Sequence, residues 1–276
     1  MNTIKFDEKK LEKSVIQIIK NIGYEHLKGS DIKRDSDKEV LIKEDLTKYL
    51  LTNYKDLSIS EINKILFELD SLSSNDLYES NKKFYHLIVN GKILKRDDPK
   101  KQDIFLNLIN KQTEKNIYKV VDQFEIVGNE KRIPDLIIYI NGIPVVLFEF
   151  KSAIKINTNI YDAYKQIKIR YKRDIPEIFK YNLFCIISDG IDNRSGSIFS
   201  SFENFYSWRR SNIDNNSDAE GIKSLKTLLD GMLNKSDLIK IIYDFIYFPD
   251  NSDVDEKILC RYPQYYGALK LFENIQ

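Results

Sequence analysis

The sequence predicts an α/β fold: a mixed sheet flanked by helices, with helical additions before and after it. Three observations predict it. Apolar residues recur at helical spacing over the first ninety residues, three short β-rich runs lie between residues 119 and 150, and helical spacing returns beyond residue 220. At 276 residues and 42% hydrophobic content the chain can bury one large core or two small ones.

Leu11, Val15, Ile18 and Ile22 fall on one face of a helix that Gly23 can close. Ile62, Ile65, Leu66 and Leu69 mark another helix after Ser60. From Lys119 the pattern changes, and VVDQFEIV, DLIIYI and IPVVLFEF read as three strands separated by turn residues. The polar segment from Asn157 to Tyr171 leads to LFCIIS at 183–188, a helical crossover followed by a strand, which is how parallel neighbours are joined. The middle of the chain therefore reads βββαβ. Leu225, Leu228, Leu229 and Met232, then Leu238, Ile241, Ile242 and Phe245, are spaced for a helical tail.

Several function classes are disfavoured. The chain has no apolar run of about 18 residues, and its first residues, MNTIKFDEKK, lack the apolar core of a signal peptide, so the expected location is cytoplasmic, away from any membrane. Cys185 and Cys260 are far apart and neither lies near His26 or His86, which argues against zinc and against a disulfide. A formal charge of +1 argues against a histone-like basic coat but leaves room for a local DNA-binding strip.

The chemistry sits in the β-rich middle. In VVLFEFKS, Glu149 and Lys151 lie two residues apart, so both leave the end of an apolar strand on one face, Lys151 as an exposed strand-end cation. Asp135 opens the preceding strand, and Asn141-Gly142 marks the hairpin between the two. Register then decides whether a site exists. A plain two-residue Asn-Gly loop pairs Asp135 with Phe148 and puts Asp135 and Glu149 on opposite faces. A three-residue loop, Ile140-Asn141-Gly142, pairs Asp135 with Leu147 and unites Asp135, Glu149 and Lys151, so the expectation is an odd-length loop or a bulge. With that register Leu136, Ile138, Ile140, Val146, Phe148 and Phe150 share one face, and Ile137, Tyr139, Val145 and Leu147 cover the other, a sheet buried on both sides.

Two converging carboxylates repel unless a proton or a hard cation lies between them, and oxygen ligands select Mg²⁺, with Mn²⁺ as substitute. A cation there suits phosphodiester hydrolysis, with Lys151 orienting water or stabilising the phosphorus centre. Spacing alone leaves a second reading open, in which Glu149 and Lys151 form a solvated ion pair where the strand emerges.

The full run RIPDLIIYINGIPVVLFEFKS resembles the nuclease motif of type I restriction enzyme R subunits, within the PD-(D/E)xK nuclease superfamily. The resemblance continues upstream in LEKSVIQIIKNIGYE and LYESNKKFYHLIVNGK, and downstream in DIPEIFKYNLFCIISDGIDNRSGS, ENFYSWRR and RYPQYYGALK. It implies a restriction-endonuclease-like core in which Asp135 and Glu149 hold the metal and Lys151 serves catalysis. Glu12 matches the family's early Glu position as a further metal ligand; as a helix residue it can equally be a surface Glu. The family's QxxxY motif puts Gln166 and Tyr171 in the site, although Tyr171 comes one residue late. Five residues along an α-helix turn about 500° and leave the two roughly 140° apart, whereas four leave them about 40° apart, so either the helix bulges or Tyr171 lies past its end. Lys165, Lys168, Arg170, Lys172 and Arg173 surround this motif as a candidate phosphate-gripping strip. Trp208 reads as core, and its neighbours Arg209 and Arg210 stay ambiguous.

The resemblance further implies an endonuclease domain over 1–250, with a helical part at 1–95, a nuclease core at about 115–215 and a helical tail at 220–248. Residues 251–276 would be a linker and the start of a motor domain, ending before any G-x-x-x-x-G-K-[ST] phosphate loop, so that ATP is used only in the full-length subunit. The implied partners are double-stranded DNA and the methyltransferase and specificity subunits. Two alternatives are a docking or DNA-binding module that does not cleave, and a stand-alone nuclease of the same superfamily.

Overall fold

The computed structural model describes residues 7–152, 158–210, 221–250 and 254–275. Asn157, the first residue of the predicted polar segment, and residues 251–253, which open the expected linker, lie outside the described residues. In chain order, α1 (Glu8–Asn21) leads into β1 (Glu25–Lys28), and α2 (Lys43–Asn53), α3 (Ile59–Asp70) and α4 (Leu77–Asn90) follow. A hairpin of β2 (Lys92–Leu94) and β3 (Ile104–Leu106) precedes β4 (Tyr118–Asp122). A second hairpin, β5 (Ile126–Val127) with β6 (Lys131–Arg132), precedes β7 (Leu136–Ile140) and β8 (Ile143–Phe150). Helix α5 (Ile160–Lys165) runs through a π-helical stretch, Gln166–Tyr171, into α6 (Lys172–Asp174), and β9 (Phe184–Ser188) and β10 (Asn193–Gly196) follow. The tail holds α7 (Ile222–Met232), α8 (Lys235–Asp244), the short pair β11 (Ile246–Tyr247) and β12 (Ile258–Leu259), and α9 (Tyr262–Ile275).

The main sheet has six strands in the order β1-β4-β7-β8-β9-β10. It is mixed: β1 runs parallel to β4 and β8 to β9, while the other neighbours are antiparallel. Every residue of β7, β8 and β9 is buried, as near-continuous apolar runs require when helices cover both faces. Helix α1 lies against β1, β4 and β8, and α5 against β8 and β9. No helix among the described residues is long and apolar enough to cross a membrane.

Four expectations need correction. VVDQFEIV is not one strand: Gln123 takes a left-handed backbone (φ 51°), which ends β4 at Asp122 and starts the separate β5–β6 hairpin. Helix α3 starts before Ser60, because Ser58 caps it and exchanges hydrogen bonds with Glu61. The mostly helical N-terminal part also supplies β1, and β10 extends the sheet past LFCIIS; both are short and largely polar, without an apolar alternation to mark them. On α1 the fully buried stripe is Leu11, Val15 and Ile19, with Ile18 and Ile22 only partly buried at its edge.

The β7–β8 hairpin uses both devices that the register argument set against each other. Its loop is the two-residue Asn141-Gly142 turn, with positive φ at both residues (53° and 77°), and Ile140 pairs with Ile143. One extra residue, Val145, then bulges out between the Tyr139–Pro144 and Ile138–Val146 pairs, and Leu136 meets Phe148. Asp135 therefore falls opposite Glu149, not Leu147, and the two share a face. The carbonyl of the bulged Val145 is used by the Leu183 N–H at the entry to β9.

Asn141 fixes this turn. Fully buried, it accepts from the Ile117 N–H and donates to the Leu108 carbonyl and the Asn116 side chain, while its own N–H reaches the Ile117 carbonyl. Gly142 lies so close under α2 that a Cβ would sit 2.2 Å from the Ile42 carbonyl oxygen. Replacing Asn141 with Ala leaves buried polar groups without partners at a left-handed position, so Asn141→Ala should lower unfolding free energy by about 3 kcal/mol or more, measured by urea denaturation.

Candidate active site

Asp135 and Glu149 are set by the bulged hairpin at the mouth of two central strands. One Asp135 carboxylate oxygen accepts the Phe150 N–H at 2.6 Å, which ties the start of β7 to the end of β8. Lys151 extends the β8–β9 ladder by giving its N–H to the Ser188 carbonyl at 2.9 Å. Its ammonium then turns back, 2.5 Å from Glu149 Oε1 and 2.9 Å from the Phe150 carbonyl. The Lys151 side chain is only 14% exposed, so it is not the exposed strand-end cation expected, and its partner Glu149 is 1% exposed, which excludes a solvated ion pair.

The late tyrosine is resolved by the π-helical stretch. Its wider turn brings residues five apart onto one side of the helix, so Gln166 donates to the Tyr171 hydroxyl at 2.8 Å. That hydroxyl donates in turn to Glu149 Oε2 at 2.9 Å. Glu149 is thus held from both ends, by Lys151 on one oxygen and by the Gln166–Tyr171 relay on the other.

The acids here are pushed toward protonation. Burial, then the nearby Asp135 charge, raises Glu149 to about 8 against the pull of Lys151 and Tyr171. Burial raises Asp135 to about 6 despite its Phe150 hydrogen bond. Glu12 on α1 is raised as well, first by burial and then by Asp135 and Asp122, so its charge faces the same space. Among the described residues no group of three or more His, Cys, Asp or Glu side chains gathers closely enough to hold a metal ion by itself. Asp135 and Glu149 are the two carboxylates that the paired strands bring to one face.

The basic residues do not form one strip. Lys165 and Arg170 line a pocket with Lys151, Gln166 and Asp162, which Lys151 and the Gln166–Tyr171 relay connect to Glu149. Lys168 turns away and donates to the Ile198 and Ser200 carbonyls, and burial lowers it to about 8. Lys172 lies over the Phe199 ring, and Arg173 pairs with Asp174, which also holds Arg132. Trp208 is buried against Tyr265 and Tyr266, as expected of core. Sequence reasoning passed over Asp122, which is buried, paired with His26 at 3.0 Å and electrostatically coupled to Glu12. A carboxylate inside the β-rich run VVDQFEIV was its available signal.

Residues 5–204 match the family described as Type I restriction enzyme R protein N terminus. A Methanocaldococcus jannaschii protein named as a type I restriction enzyme MjaIXP endonuclease subunit is 29% identical over 96% of this chain and 27% of its own length. The HindI endonuclease subunit of Haemophilus influenzae is similar at 30% identity, over 95% of this chain and 26% of its own length. A SauCOLORF180P endonuclease subunit of Staphylococcus aureus is 28% identical over 67% of this chain and 18% of its own. The chain spans roughly a quarter of the length of the first two relatives. With a match that runs from α1 through β10 and takes in every residue of the site just described, the chain belongs to the family of type I restriction enzyme R protein N termini.

Proposed function

We propose that this chain is the endonuclease domain of a type I restriction enzyme R subunit, with a PD-(D/E)xK core that hydrolyses phosphodiester bonds of double-stranded DNA using Mg²⁺. The observation that carries the reading is the convergence of Asp135, Glu149 and Lys151 across a hairpin whose bulge is needed to unite them. The donor set fits Mg²⁺, which commonly binds through one or two carboxylates and completes its shell with water and substrate phosphate. A buried and a half-buried carboxylate with raised pKa values are also what a hard cation relieves.

Asp135 and Glu149 would hold the ion, with Glu12 adding negative charge from α1. When bound, Mg²⁺ supplies charge neutralisation at phosphate oxygens and a more acidic water. Tyr171 keeps the second oxygen of Glu149 fixed, and Gln166 keeps Tyr171 fixed. Lys151 Nζ lies where it can donate to a phosphate oxygen once it leaves Glu149. Lys165 and Arg170 border the pocket as phosphate contacts. In the whole enzyme the methyltransferase and specificity subunits would choose the DNA, and ATP would serve the motor portion of the full-length R subunit.

The Lys151–Glu149 bond is also what a non-cleaving docking module would retain, and nicking separates the two readings. Supercoiled plasmid with Mg²⁺ or Mn²⁺ and no ATP should be nicked by the wild type. Asp135→Ala and Lys151→Ala should each lower the rate by about 100-fold or more. An inert wild type returns the non-cleaving module to first place.

Stability should report the carboxylates separately. A carboxyl raised in the fold binds more protons folded than unfolded, so its contribution is greatest at low pH and is lost as pH rises. For Glu149 that loss starts above its ordinary value of 4.5 and runs to about 8. In chelator, therefore, Glu149→Gln should raise the Tm at pH 8 by several degrees and change it little near pH 4. Mg²⁺ should raise the wild-type Tm at pH 8 and leave that of Glu149→Gln unmoved. Equal Mg²⁺ responses in the two proteins would contradict this assignment.

A further inference from the structure

Outside the catalytic pocket, cations and aromatic rings alternate along one edge of the sheet. Arg194 on β10 pairs with Ile187, and Ile187 pairs with Glu149, so the three form one row across β8, β9 and β10 on one face. Two strand spacings put Arg194 about 10 Å from the Glu149 backbone, roughly three phosphates along a stacked strand. From the catalytic pocket outward, Lys165 lies 5.2 Å over the Tyr161 ring, Tyr161 packs edge-on to Phe202 at 5.0 Å, and Arg194 lies 4.8 Å over Phe202. Arg194 then shares a second pocket with Arg209, Arg261, Tyr206 and Tyr262. There the Arg261 guanidinium covers the Tyr206 ring at 3.8 Å.

Tyr161, Arg209 and Arg261 are exposed, so the series presents both rings and charges to solvent. Asp162 and Asp192 are bonded to Lys165 and Arg194 and hold them in place, and Glu203 is the acid on the second pocket. An outer surface of a chain with net charge +1 does not need three arginines around one pocket. Duplex DNA engages cations through its phosphates and keeps its bases stacked inside. Rings interleaved with cations are the pattern that binds a single strand, whose bases are free to stack.

We propose that this edge is a binding track for a single DNA strand leading to or from the cleavage site, with phosphates on Lys165, Arg194, Arg209 and Arg261 and bases stacked on Tyr161 and the Arg261–Tyr206 pair. Its purpose rests on the nuclease reading, but its test does not, because binding needs no cleavage.

The test is fluorescence anisotropy of a labelled oligothymidine in chelator, over a series of salt concentrations, with the full chain. The double variant Arg209→Ala, Arg261→Ala should weaken binding about tenfold or more and flatten the log–log salt slope by about 1.4, the share of two phosphates on a single strand. Arg209→Lys with Arg261→Lys should keep the slope, because charge is retained. Tyr161→Ala should weaken binding by about tenfold and leave the slope alone. Unchanged affinity and slope in the Ala double variant, an equal loss in the Lys variant, or binding confined to duplex would each overturn the track. Strand binding with these losses but without plasmid nicking would sink the nuclease reading and leave the track standing.

Discussion

A β-strand alternates its side chains with a period of two, and that parity governs whether this protein has a site. The Asn141-Gly142 turn, left to itself, puts Asp135 and Glu149 on opposite faces of the sheet. The single extra residue at Val145 reverses the parity of everything beyond it, and the carboxylates meet. A second insertion does the same on the helix: the π-helical stretch restores the phase of Tyr171 so that it reaches Glu149. Two one-residue irregularities, in different kinds of element, converge on one carboxylate. Both are held by their surroundings, the first through the Val145 carbonyl and the Leu183 N–H, the second through the Gln166–Tyr171–Glu149 relay.

Low exposed surface alone does not mark Glu149 as special. Glu61 exposes almost as little surface, yet it is far less desolvated, and its pKa falls to about 2 because the Arg96 guanidinium and the Ser58 and Asp97 N–H groups all bond to it. Asp174 is lowered in the same way between Arg173 and Arg132. These carboxylates are structural, each matched by charge-assisted donors. Glu149 and Asp135 instead have one lysine between them, and burial raises both pKa values, with the Asp135 charge adding to the rise of Glu149. The difference lies in deep desolvation together with a short supply of donors, and it separates carboxylates that hold the fold together from a pair whose charge the fold leaves poorly matched.

The frame around the site is stiff where it must be. Asn141 joins the hairpin turn to the Leu108 and Ile117 backbone, Ile42 packs its N–H on the Gly142 carbonyl, and Tyr139 donates to the Val40 carbonyl. The helical N-terminal part thus clamps the far end of the hairpin from the carboxylates. At the C-terminal end, Tyr265 is buried and bonds to Asp237 on α8, so Ile258 through Tyr266 dock on the tail helices.

The apolar runs of β7 and β8, the Asn-Gly turn, the crossover to β9 and the helical tail were legible in the sequence because each has a local cause: a period, a turn residue, a run length. The carboxylates and lysine were legible as residue types, and parity demanded a shift of one without saying where it would fall. Tertiary structure decided the rest. The bulge settled at Val145, where β9 could use its carbonyl. Gln123 broke the first β-run at a left-handed position that no local pattern announced. Strand β1 joined the sheet beside β4 across three helices, and Lys168 turned inward while Lys165 and Arg170 stayed at the pocket. Sequence fixes what a segment prefers over a few residues; pairing partners, the site of an insertion and the direction of a long cationic side chain depend on distant groups that only packing brings near.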